Sequence, residues 1–147
     1  MYQQMIFVNL PVENVDTSRK FFTELGYSIN PQFSNEDCAC VVISDTIIAM
    51  MLSRKRYADF TKKEIADSAR TSEVLLCLSA ESREKVDELV ERALAAGGTD
   101  NDDTQDHGFM YGRSLRRPGR PLLGGRVDGP GGRRGLNPAG AGRVEGQ

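Results

Sequence analysis

The chain has 147 residues, with 19 basic and 21 acidic side chains, three cysteines and one histidine. This length and charge balance describe about one globular domain, able to bury a core without disulfide or metal staples. One histidine excludes a zinc site built on several; three cysteines without CxxC spacing fit reduced thiols; the longest apolar runs are too short to span a bilayer. The average conceals a break. Residues 1–112 carry 11 basic and 19 acidic residues, whereas residues 113–147 carry 8 arginines, no lysine and 2 acids. Those last residues also hold 10 of the 15 glycines and 4 of the 6 prolines, a composition foreign to what precedes them. The opening MYQQMIFVNL lacks the basic region and cleavage site of a signal peptide, which, with reduced thiols, leads us to expect a cytoplasmic protein.

In chain order, Gln4–Val12 reads as a strand, with Ile6, Val8, Leu10 and Val12 on one face and Phe7, Asn9 and Pro11 on the other. Asn14 or Asp16 can cap a helix running through Ser18–Leu25, and Gly26 is its natural stop. Tyr27–Phe33 reads as a second strand, interrupted by Pro31 and therefore at an edge. Cys38–Ser44 and Thr46–Leu52 form a hairpin turning at Ser44-Asp45. Ser53–Arg70 is a long polar connection with a helical turn or two.

The opening pattern then returns. Thr71–Ser79 is a strand, and Ser82 caps a helix with Val86, Leu89, Val90 and Ala93 at helical spacing, ended by Gly97-Gly98. Asn101–His107 is acidic and turn-like, and Gly108–Ser114 reads as another strand. A repeated strand, helix and strand series, each half too small to stand alone, implies an α+β fold with helices on the outer face of mixed sheets.

The segment IFVNLPVENVDTSRKFFTELGY resembles the start of vicinal-oxygen-chelate proteins, the superfamily of glyoxalase I, bleomycin- and fosfomycin-resistance proteins and ring-cleaving dioxygenases. EVLLCLSAESREKVDELVERALAAGG and QDHGFMYGRS are similar to its bacterial branches, so the resemblance covers residues 4–114. It implies paired βαβββ modules, about 1–56 and 70–114, forming a cupped sheet around a small-molecule site, and a homodimer. It also implies a closing strand, introduced by D-P-D-G-H/N and bearing an acidic metal ligand, where this chain has Leu115–Pro130 in an Arg/Gly/Pro-rich setting. The last strand of the second module is therefore expected to be missing, and residues 115–147 to form a disordered tail. Back-translated with CTN for Leu and CGN for Arg and read one base later, Leu115–Pro130 can spell F-D-D-P-D-G-H-F-W-E-V-V-W-M-D-P. The expectation is that the tail is an out-of-frame reading after Ser114. A disordered basic segment is the alternative, and a nucleic-acid-binding arm ranks below both because the tail has no aromatic residue to stack on bases.

By the same resemblance, metal ligands stand at the start of each module's first strand and on its last strand, where a divalent ion would hold substrate oxygens and stabilise a developing anion. The first falls at Phe7, which cannot bind a metal, the second at Glu73, which can, and the last belongs to the shifted reading. Asn9 shares the Phe7 face and offers an amide to a substrate oxygen, or is simply a polar residue on a wet strand. Glu73 interrupts an apolar strand, as a ligand, a catalytic carboxylate or a solvated strand start. His107, in Asp-His-Gly-Phe-Met-Tyr-Gly, suits a general base or a ligand, with a structural or surface histidine as the alternative. Tyr111 can donate to a bound oxygen or pack as an aromatic, and Met50 can line an apolar pocket or the core. Cys38 and Cys40 look like small core residues. Two functions follow: an enzyme of lyase or dioxygenase type using a divalent metal on a small oxygenated substrate, or a metal-free protein that sequesters a small molecule. Neither calls for a membrane.

Overall fold

A computed structural model of the protein describes residues 1–67, 70–71, 74–100, 105–106, 110–116, 122–128 and 145–146, without the side chains of Leu75, Asp100 and every residue from Gln105 onward. The chain divides into two compact units, Met1–Ala66 and Asp67–Gln147.

The first unit begins with β1 (Ile6–Val12), followed by helix α1 (Val15–Leu25). The helix starts earlier than the apolar spacing suggests because Asn14 is the cap: its side chain accepts from the Thr17 N–H at 3.0 Å. Gly26 closes it in the left-handed region, φ 105°, with its N–H donating to Phe22 and Thr23 carbonyls. The chain then makes only a short strand β2 (Ser28–Ile29). The strand expected through Phe33 gives way to a 3-10 turn over Pro31–Phe33, because proline pre-sets a helical φ and Asn30 caps the turn by accepting from the Gln32 N–H. The hairpin follows as β3 (Cys38–Val42) and β4 (Ile47–Ser53), and a single turn α2 (Arg54–Tyr57) is capped by Ser53.

The strand order is β1-β4-β3-β2, with β1 parallel to β4 and the other pairs antiparallel. Leu10, Val12, Ala39, Val41 and Met51 are buried, and α1 packs against β3 and β4 with Phe21 and Phe22 1% and 2% exposed and their rings edge to face at 5.2 Å. Each such aromatic contributes roughly 1.5–3 kcal/mol by leaving water. Arg19 on α1 fastens the helix to the entry of β3, donating to the Asn35 carbonyl at 2.7 Å and the Cys38 carbonyl at 3.3 Å.

The second unit repeats the scheme. β5 (Val74–Leu75) and β6 (Cys77–Ser79) divide what the sequence reads as one strand. Ser82 caps α3 (Arg83–Ala95) by accepting from the Lys85 N–H, and Gly97, at φ 100°, turns the chain out of it. Val86, Val90 and Ala93 form its fully buried stripe. Short strands β7 (Thr99–Asp100) and β8 (Gln105–Asp106) both pair with β9 (Met110–Arg116).

Here the structure departs from the sequence expectation. β9 runs past Ser114 to Arg116, and Leu122–Asp128 forms a further strand, β10, antiparallel to β9 and parallel to β6. β10 stands in the place of the closing strand expected to be missing, and Glu145–Gly146 (β11) pairs with β5, so these parts of residues 115–147 are not a structureless tail. The physical reason is that a ladder is made by backbone N–H and C=O groups, which any residue but proline provides in full. No helix among the described residues is long and apolar enough to cross a membrane.

Candidate functional site

The parallel pairing of β1 with β4 decides which candidates meet. Phe7 stands beside Ile48 and Asn9 beside Met50, while β3 adds Val42 beside Ile48 and Cys40 beside Met50. Partners in register share a face, so two adjacent rows cross the sheet: Phe7, Ile48, Val42 and Asn9, Met50, Cys40. This is the face opposite α1. Phe7 is 55% exposed, Asn9 is exposed and Met50 is half-buried, whereas Ile48 and Cys40 are buried. The Asn9 Nδ2 lies 3.4 Å from the Phe7 carbonyl, a long contact that leaves the amide able to turn to a ligand.

Three of the sequence candidates, Phe7, Asn9 and Met50, are thus brought together. Ile48 and Cys40, which complete the rows, carry no local sequence signal for the site, because only the long-range register of β1, β4 and β3 brings them there. Tyr111 lies in β9 opposite Asp106 and Val127, with its side chain outside the described residues. Glu73 and His107 lie outside the described residues altogether.

The capping residues define how the two modules correspond. Asn14 follows Phe7 by seven positions, and Ser82 follows Leu75 by seven. Glu73 therefore stands two positions before the counterpart of Phe7, and Cys77 is the counterpart of Asn9. Cys77 pairs with Gly124, as Asn9 pairs with Met50, so Gly124 holds in the second module the position of Met50 in the first.

The chemistry of the described face is apolar with one amide. Burial pushes the Cys38 and Cys40 thiols above their ordinary range, and Cys40 adds to the rise at Cys38, so both are neutral thiols at physiological pH. Cys38 Sγ donates to the Phe33 carbonyl at 3.4 Å. The face presents no carboxylate or imidazole: β1 reads Ile-Phe-Val-Asn-Leu-Pro-Val and β4 Ile-Ile-Ala-Met-Met-Leu-Ser. Among the described residues, no three His, Cys, Asp or Glu side chains gather to hold an ion. The first module's face therefore does not fit a hard divalent metal.

Residues 4–44 match the family described as bleomycin resistance protein-like N-terminal. No curated protein matches the sequence. Solved structures are similar throughout their length. The hypothetical protein SA1046 from S. aureus superposes with a TM-score of 0.71 at 23% identity, over 86% of this chain and 94% of that one. A glyoxalase/bleomycin resistance protein/dioxygenase family enzyme from Burkholderia phytofirmans PsJN gives 0.68 at 18%, over 84% and 98%. A glyoxalase-related enzyme from Fulvimarina pelagi gives 0.71 at 17%, over 98% and 97%. With the repeated modules, the parallel closure of each sheet and the matching N-terminal segment, the chain has the fold of the glyoxalase/bleomycin resistance/dioxygenase superfamily, the vicinal-oxygen-chelate proteins.

Proposed function

We propose that the protein is a metal-independent binder of a small, largely apolar molecule carrying an oxygen acceptor, in the manner of a resistance protein that sequesters its ligand. The observation that supports this reading is the pair of rows Phe7, Ile48, Val42 and Asn9, Met50, Cys40, which offers an aromatic ring, a thioether and one amide donor. Phe7 and Met50 supply adaptable apolar contact, and Asn9 supplies direction. The protein would act in the cytoplasm, with its thiols reduced, as a homodimer.

The test uses 1-anilinonaphthalene-8-sulfonate as an apolar probe, together with dialysis against Mn²⁺, Ni²⁺ and Zn²⁺. Saturable dye binding is expected, weakened about tenfold by Phe7→Ala through the loss of roughly 1.4 kcal/mol of aromatic contact. Stoichiometric retention of any of the three ions, or dye binding unaffected by Phe7→Ala, overturns the reading.

The metal-dependent reading, a lyase or dioxygenase acting on an oxygenated substrate, draws on different residues: Glu73, His107 and the carboxylate that the shifted reading puts at position 124. Ion retention would favour it.

A further inference from the structure

β10 is flanked on both sides, by β6 and β9, and α3 packs across β9 and β10. A strand in that position is covered and is normally written in apolar residues. Its counterpart β4, flanked by β1 and β3, obeys: Ile-Ile-Ala-Met-Met-Leu-Ser. β10 reads Leu-Leu-Gly-Gly-Arg-Val-Asp. Adjacent glycines weaken a strand, having the most backbone freedom to lose and no side chain to pack, and Arg126 and Asp128 add charge to an interior strand. Backbone conformation and amino-acid sequence disagree here.

The shifted reading removes the conflict at the positions where it occurs. Over residues 122–128 it can spell Phe-Trp-Glu-Val-Val-Trp-Met, apolar except at position 124, and the strand's bounds coincide with that stretch. The next shifted codons, like those before residue 122, give the Asp, Pro and Gly of connecting turns.

We infer that the residues after Ser114 arise from one extra base in the coding sequence from which this chain is read, a base that the gene in its own cells lacks, and that the backbone of Leu122–Asp128 is the closing strand of a chain whose own side chains there are those of the shifted frame. The inference stands independently of the ligand class proposed above, because it rests on strand position and on what the genetic code allows for these residues.

DNA sequencing across the codons for Tyr111 to Pro121, with tryptic peptide mapping of the protein from its own cells, tests it. A gene without the extra base, and peptides carrying the shifted residues, are the expected result. A gene that keeps the base, with peptides of the Arg/Gly/Pro-rich sequence, overturns it. Expressing both chains adds a second readout: the restored chain should melt at least about 5 °C higher, and equal melting temperatures would also overturn the inference.

Discussion

β4 and β10 hold the same place in their modules and could hardly be written more differently. Each lies parallel to its module's first strand and antiparallel to the strand before it. In β4, Ile48, Ala49, Met51 and Leu52 are buried, so side chains and ladder support the same conformation. In β10 the ladder has to act over two glycines and two charged residues. A strand's place can thus be set by its neighbours while its stability is set by its own side chains.

Exchanging features between the two strands is the strongest way to break that comparison. Ala49→Gly with Met50→Gly gives β4 the glycine pair of β10 and should cost about 2–4 kcal/mol in chemical denaturation, from backbone entropy and lost packing. Gly124→Val with Gly125→Val should do the reverse, stabilising the existing chain by roughly 1 kcal/mol per site. A destabilised double valine variant would mean that β10 is not a covered interior strand.

The helix caps sharpen the comparison at smaller cost. Asn14→Ala and Ser82→Ala should each lose about 1 kcal/mol, since each removes one acceptor from an N-terminal N–H. A urea transition that splits into two steps in either variant would show that the two modules do not unfold as one cooperative unit.

The smallest effect concerns pH. Burial raises the Cys38 and Cys40 thiols in the folded state. Between the unfolded thiol value and the raised folded value, the unfolded chain releases protons that the folded chain retains, so stability falls as pH rises through that window. Melting curves on the alkaline side of pH 8 should show a decline that Cys38→Ala with Cys40→Ala flattens. At neutral pH, exposed Cys77 should be alkylated before either buried thiol.

Much of this was legible in the sequence wherever the signal is local. Period-two alternation marks the faces of β1, and Asn14, Gly26 and Ser82 mark the helix ends, because caps act within a few residues. The 3-10 turn at Pro31 lies where the sequence pattern predicts strand, because Asn30's capping role competes with the β-like flanks. The candidate face was half legible: Phe7 and Asn9 share it by alternation, but Met50 joins them through a pairing across some forty residues. β10 was illegible for a different reason, since Gly-Gly-Arg carries no strand signal and its partners alone define it.

The order of pairing in the first unit has a consequence for synthesis. Every strand of its sheet, from Ile6 to Ser53, has its hydrogen-bonding partner within that stretch, and α1 lies within it too. Chains emerge from the ribosome at roughly 5–20 residues per second and fold N-terminal units first. All the pairing partners of the first sheet are therefore made seconds before translation reaches Ser114, and they are the same whatever the ribosome reads after that codon.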